Sequence, residues 1–411
     1  MPKLSLLEKY AKLAVKVGVN VQKDQVVVVR ATTETKELTR LIVKEAYEAG
    51  AKKVITQWSD DYLTRYAYDY QSVETLEEVP GYAIETNRYY VDNNACFINV
   101  ISPMIGVNQG VDPVKMAKSL TATQKALPFL REYTMGNKGQ WTIVAASNTV
   151  WAEAVYPSLK GEEAKEALWT AILNACRVYE DSDPIENWAK HNAELSKHNV
   201  ILNELNFKEL RFKNSLGTDL TVGLVENHVW SGGGEKTTSG VYFNPNIPTE
   251  ETFTMPYKWA TSGKVVATKP LNYNGTLIED FYLVFKEGKV VEFDAKKEKK
   301  TLEELLNTDQ NARYIGEIAL ISHDSPISNT NLLFLNTLYD ENASCHMALG
   351  RAYPMNIKGG INTPIEELEK KGYNNSLIHV DFMFGSKDMS IVGVKHDGSE
   401  VVVFKDGNFV I

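Results

Sequence analysis

The chain has 411 residues, 43% of them hydrophobic and 24% charged; this is a globular composition, too long for one ordinary core, so two domains are expected. Its 44 basic residues against 53 acidic ones leave a net charge of −9 without long blocks of either sign, which argues against nucleic acid as a main partner. The cysteines Cys96, Cys176 and Cys345 form no CxxC pair, and no stretch approaches the roughly 20 apolar residues of a membrane span, so a soluble, cytoplasmic protein with no membrane partner is expected.

In chain order, MPKLSLLEKYAKLAVKVG reads as an amphipathic helix and lacks the apolar core and cleavage site of a signal peptide. Gln25 to Arg30 holds four consecutive valines, the pattern of a strand buried on both faces. A helical pattern follows (Leu38, Leu41, Ile42, Ala46, Ala49), Gly50 ends it, and KKVITQW resumes as a strand, giving a βαβ unit with a parallel crossover. Further strands are expected at 95–101 and 140–146, and helices near 112–126 and 160–180. DSDPIENW (181–188) marks a boundary, and a helix over roughly 184–198 leads into a different texture. Short alternating strands then dominate, as at 220–225, 277–285 and 289–295, separated by the turns NSLGTD, NYNG and KEGK. The expectation is an α/β N-terminal domain with a largely parallel sheet over 1–185, then a mixed, largely antiparallel α+β domain over 186–411.

Stock catalytic motifs are absent: there is no HExxH, no GxSxG and no GxxxxGK[ST]. SGGGEK (231–236) reads as a loop or tight hairpin, KKEKK (296–300) as a solvated helix start, and RATTETKE lacks the glycine-rich turn of a nucleotide-binding unit. What remains is a set of carboxylates and imidazoles in the second half. PTEETFT (248–254) carries Glu250 and Glu251, YIGEIALI (314–321) embeds Glu317, and DENASCH (340–346) offers Glu341 and His346. In SLIHVDFMFGS (376–386) a strand would put Ile378, Val380, Phe382 and Phe384 on one face and His379 with Asp381 on the other. Singly, each has an ordinary reading: a turn residue (Glu251), an ion-pair partner (Glu317), a surface loop (Glu341, His346) or a structural His–Asp hydrogen bond. His228, His323 and the remaining histidines are assigned structural roles. Together, three glutamates, two histidines and one aspartate form a mixed N/O donor set that exceeds one tetrahedral zinc and suits two adjacent divalent ions, a recurrent device for hydrolysis.

PTEETFT, GEIALI, DENASCHMALGRAY (340–353) and HVDFMFGS (379–386), in this order, resemble the metal-site motifs of the aminopeptidase T / aminopeptidase S family of bacterial dinuclear metallo-aminopeptidases. The likeness extends over most of the chain. It implies metal ligands at Glu251, Glu317, Glu341, His346, His379 and Asp381, with Glu317 as the bridging carboxylate and Tyr353 near the metals as an oxyanion stabiliser. Glu251 is preferred to its neighbour Glu250 on the motif alignment. The resemblance further implies two divalent ions per chain (zinc first, with cobalt, manganese or magnesium also suited) and peptide substrates with a free N-terminus, attacked by a metal-bridged hydroxide. It also implies a homodimer enclosing a cavity walled in part by the N-terminal domain. A dinuclear hydrolase for another amide and a non-catalytic metal-binding protein are the competing readings. Trp230, beside the glycine run, reads as a packing residue before a pocket-lining one.

Overall fold

The structure, a computed structural model, describes residues 2–273 and 276–411. Asn274 and Gly275 of the expected NYNG turn lie outside the described residues, while the strands flanking them, Leu271–Tyr273 and Thr276–Lys286, pair antiparallel. The chain divides into two compact units, one comprising residues up to Lys190 with Gly234–Pro248, the other His191–Gly233 with Thr249–Ile411. The expected cut after residue 185 thus lies five residues early, within a single helix, Pro184–Leu205, that runs seven residues past its expected end. The return of 234–248 to the first unit was not expected from composition. Its cause is main-chain pairing: the Ile143 N–H donates to the Pro245 carbonyl (2.8 Å) and the Ile247 N–H to that of Ile143 (3.0 Å).

The first unit is built on four parallel strands in the order Lys53–Ser59, Val26–Thr32, Cys96–Ile101, Trp141–Ala145. Val27, Val28 and Val29 are wholly buried, as a strand flanked on both faces requires. On one face Val26, Val28 and Phe97 pack with Tyr90 and Tyr133. The helices Leu4–Leu13 and Lys36–Glu48 bury Leu7, Tyr10, Leu38 and Ile42, the stripe their spacing announces. Two other helices, Asp61–Tyr70 and Val73–Glu77, bury none of their residues; the first repeats Tyr62, Tyr66 and Tyr70 along one exposed face. No helix among the described residues is long and apolar enough to cross a membrane.

The second unit holds a nine-stranded sheet, antiparallel in every strand pairing, and a smaller sheet of four antiparallel strands. The small sheet runs His379–Met383, His346–Gly350, Ile315–Leu320, Thr252–Thr254. One of its faces is apolar: Ile318, Leu320, Met347, Leu349 and Phe382 join a core with Leu210, Phe212, Leu220, Phe281 and Leu283 of the large sheet. Each such side chain contributes about 1.5–3 kcal/mol by leaving water. Phe281 packs on Phe382 and Phe212 on Phe384, both with ring centroids 5.4 Å apart. Trp230, 2% exposed, belongs to this core. With one face committed to the core, the register of the small sheet is fixed, and the opposite face is free to carry chemistry.

Candidate metal centre

The strand register determines which side chains share the second face. Glu317 stands opposite Ala348, and Ala348 opposite Asp381; Ala319 stands opposite His346, and Gly350 opposite His379. Directly opposed residues of an antiparallel pair point to the same side, as do residues two apart on one strand. Glu317, His346, His379 and Asp381 therefore project from one surface, separated by nothing larger than alanine. A bulge between Ile315 and Glu317 starts a new phase for the rest of the strand. Gly316 permits it, since a Cβ there would lie 2.4 Å from main-chain atoms of Gly350 and Arg351.

The fourth strand adds Glu251 by the same rule. Phe253 stands opposite Ala319, so it shares the surface, and Glu251, two residues earlier, falls on that side as well. Glu250 turns the other way, 3.8 Å from His191, whose Nε2 also lies 2.7 Å from the Thr249 carbonyl oxygen. Alternation continued into the extended segment just before the strand thus separates two adjacent glutamates that composition cannot tell apart.

His346 Nε2 lies 3.2 Å from Glu251 Oε2 and 3.4 Å from Glu317 Oε1. His379 Nε2 lies 3.7 Å from Glu317 Oε2 and 3.6 Å from Asp381 Oδ2. These form two groups with the spacing of metal ligands, Glu251–Glu317–His346 and Glu317–His379–Asp381, and Glu317 belongs to both. Each imidazole is aimed by the main chain: His379 Nδ1 donates to the Arg351 carbonyl (2.6 Å) and His346 Nδ1 to that of Ser344 (3.3 Å). A carbonyl only accepts, so in the neutral ring the Nε2 lone pair is left facing carboxylates. Two acceptors that face each other call for a cation between them. Asp381 Oδ1, buried and without a hydrogen-bond partner, makes the same demand. A divalent ion ligated by N and O donors fits this set.

The titration behaviour has the same origin. Burial pushes Glu317 above the usual carboxylate range, with the Asp381 and Glu251 charges adding to it against His346 and His379. Burial also holds Glu341 well above that range, reinforced by Asp381 and Glu251. For His346 burial works in the other direction, but hydrogen bonds to Glu251 and Glu317 prevail and raise it well above the imidazole norm.

Glu341 is in neither ligand group, although its charge acts on the same residues. A 3-10 turn, Glu341–Ala343, carries it, and Ser344 is extended before the strand begins at His346. That change of conformation lets residues five apart approach one site. Tyr353 follows the strand rather than lying on a helix. Its ring sits 4.7 Å from that of His379 and 6.3 Å from that of Phe253. Burial, then the charges of Glu317, Asp381, Glu341 and Glu251, raise its pKa well above the phenol norm, so it remains an O–H donor.

The profile of the thermophilic metalloproteases, M29, matches residues 4–409. The chain belongs to the M29 family. Aminopeptidase AmpS of Bacillus subtilis (strain 168) is 45% identical to it over 403 residues, 98% of each chain. Aminopeptidase 2 of Geobacillus stearothermophilus is 44% identical, over 98% of this chain and 97% of its own. Wild-type AmpT from Thermus thermophilus has a closely similar structure, with a TM-score of 0.92 at 38% identity and 99% of each chain covered.

Two residues of this M29 site escaped the sequence reading. Asn342, fully buried, accepts from the Glu250 N–H through Oδ1 (2.8 Å) and donates through Nδ2 to the Leu338 carbonyl (3.0 Å), so it ties the segment bearing Glu251 to the turn bearing Glu341. Gly232, in the glycine run, lies directly against the Glu251 main chain. Neither has a sequence signal: an asparagine beside a glutamate and a glycine in a loop look ordinary. Asn342→Ala should leave a buried N–H unpartnered, at a cost of about 1–3 kcal/mol, and weaken metal binding by roughly 10–100-fold as loss of outer support does. Cobalt titration followed by visible absorption measures this, and unchanged affinity would remove Asn342 from the account.

Proposed function

We propose that this M29 protein is an aminopeptidase that removes the N-terminal residue of peptides, with two divalent ions held by Glu251, Glu317, Glu341, His346, His379 and Asp381. The observation that carries the reading is the placement of Glu317, whose Oε1 faces His346 and whose Oε2 faces His379. A carboxylate with one oxygen directed into each group is suited to bridge them. The four carboxylates Glu251, Glu317, Glu341 and Asp381 match two divalent cations in charge. Bound there, divalent metal supplies Lewis acidity and water made acidic enough to deprotonate near neutral pH.

The chain's own residues do the rest. The Tyr353 hydroxyl, kept protonated, donates to the oxygen that becomes negative at the scissile carbonyl. The free amine is the discriminating feature. Similarity to proteins named aminopeptidases supports this substrate over other amides.

Zinc is the proposed ion, with cobalt, manganese and magnesium as alternatives. A homodimer is proposed as well. Its support is the helix Asp61–Tyr70, which buries nothing and exposes Tyr62, Tyr66 and Tyr70 at four-residue spacing. Three cysteines, all free and buried, accord with a reducing cytoplasm.

The test measures metal per chain in purified protein, together with hydrolysis of one peptide in free-amine and N-acetylated forms. Near two ions, turnover of the free-amine form alone, and loss with chelator are expected. Equal turnover of both forms would overturn the aminopeptidase reading. One ion at full activity would overturn the dinuclear one.

A further inference from the structure

The strand Thr252–Thr254 has its side chains in an unexpected order. Thr252 and Thr254 face the core opposite Leu320 and Ile318 and are fully buried. Phe253 points to the other side and stays partly exposed. A strand with one face on a core ordinarily has apolar residues inward and polar ones outward. Here the aromatic ring is turned away from the core. Thr252 Oγ1 is meanwhile buried without a hydrogen-bond partner, a loss of about 1–3 kcal/mol. Such a local contradiction marks a functional position when something nearby gives it a use.

The surroundings of Phe253 give it one. Glu251 lies two residues before it on the same side, and beyond the small Ala319 stands His346. Tyr353 lies edge-on to the Phe253 ring and touches His379. On this face of the four strands the remaining positions are ligand candidates, alanine, glycine, or Met383, buried at 4% exposure; the bulge puts Ile315 opposite Leu349 on the core side. Phe253 is therefore the large apolar side chain with accessible surface there, beside a cluster that is otherwise charged. Its main chain is pinned on one edge by the Ser231 pairing (2.8 and 3.0 Å) and by Asn356 Nδ2, which donates to its carbonyl (3.3 Å). The main chain that presents the ring is thus held in place.

We propose that Phe253 is a specificity-determining residue: its ring walls the pocket that receives the side chain of the peptide's N-terminal residue, so the enzyme favours large apolar N-terminal residues over small or acidic ones. This rests on the aminopeptidase reading above. Contact with an apolar wall discriminates by about 10–200-fold per methylene-scale difference. The ratio of kcat/KM for leucyl to alanyl p-nitroanilide should accordingly exceed 10 in the wild type.

The experiment compares wild type, Phe253→Ala, Phe253→Leu and Phe253→Trp, each loaded with cobalt and assayed for metal content. Leucyl and alanyl p-nitroanilides are the substrates, and free L-leucine and glycine the competitive inhibitors. In Phe253→Ala the leucyl-to-alanyl ratio should fall about tenfold or more, chiefly through KM, and inhibition by leucine should weaken while that by glycine holds. Phe253→Leu should restore most of the ratio, and Phe253→Trp, which narrows the pocket, should shift preference toward alanine. Loss of metal in Phe253→Ala, or an equal fall for both substrates with no rescue by leucine, would make the residue structural and overturn the proposal. So would a ratio unchanged across the series. A wild type that binds metal but hydrolyses neither substrate would instead overturn the aminopeptidase reading on which the proposal stands.

Discussion

Glu317→Gln is expected to lower kcat/KM by about three orders of magnitude, because the group shared by both ligand sets contributes several kcal/mol of charge stabilisation, at 1.36 kcal/mol per factor of ten. The same substitution should have the opposite effect on the metal-free protein. Burial, with Asp381 and Glu251, raises the folded-state pKa of Glu317 above its ordinary 4.5. The folded state therefore holds that proton more tightly than the unfolded chain does. The associated stability is complete below 4.5 and is lost as pH rises through the folded value. Glutamine carries no charge to lose. At pH 8 the chelated variant should melt at a higher temperature than the chelated wild type, and at pH 4 the two should converge. A variant within tenfold of wild-type activity would remove Glu317 from the centre of the site. A chelated variant that melts lower at pH 8 would show that the carboxylate cluster is not under tension without metal.

Gly232→Ala is the second substitution expected to have a large effect, though it touches no ligand side chain. A Cβ at Gly232 would sit 2.1 Å from the Glu251 carbonyl oxygen, and the residue's φ of +152° already lies where side chains are rarely found. Real Cβ contacts begin near 3.0 Å, so the segment bearing Glu251 must yield by about 1 Å. A displacement of that size in a catalytic array costs about 100-fold in rate, with about 1–3 kcal/mol of backbone strain. Metal affinity and kcat/KM should fall together. Gly240→Ala is the control: that glycine also has positive φ (+89°), but a Cβ there meets nothing within 4 Å. If the two variants behave alike, the effect belongs to backbone strain in general and not to Glu251.

The sequence made legible those features that depend on short-range periodicity. Four valines in a row announced the central strand of the first unit, and HVDFMFGS separated an apolar face from a His–Asp face two residues at a time. Periodicity alone does not say what covers a face: Tyr62, Tyr66 and Tyr70 repeat along one side of Asp61–Tyr70, and that side is exposed. In an unbroken strand over GEIALI, Ile315 and Ala319 would share a face with Glu317; the bulge at Gly316 resets the phase, and a bulge is invisible without its partner strand. Long-range features were out of reach for a related reason. The return of 234–248 to the first unit depends on Ile143, about a hundred residues away, and the role of Asn342 depends on Glu250. Neither contact leaves a local pattern.

Both site imidazoles are aimed by main-chain oxygens, those of Arg351 and Ser344, and this bears on how the protein tolerates change. Every residue type has a carbonyl, so drift at the half-buried position 351 can alter charge and size without redirecting the His379 ring, whereas the buried Ser344, packed against Gly385, admits only small residues. A centre whose rings were held by aspartate or glutamine side chains would be exposed to mutation at each holder. Here the vulnerable positions contract to the donors themselves and to the few glycines and asparagines that set the course of the backbone. Mutational scanning should find sharp intolerance at His346 and His379 beside broad tolerance at Arg351 and tolerance of small residues alone at the buried Ser344.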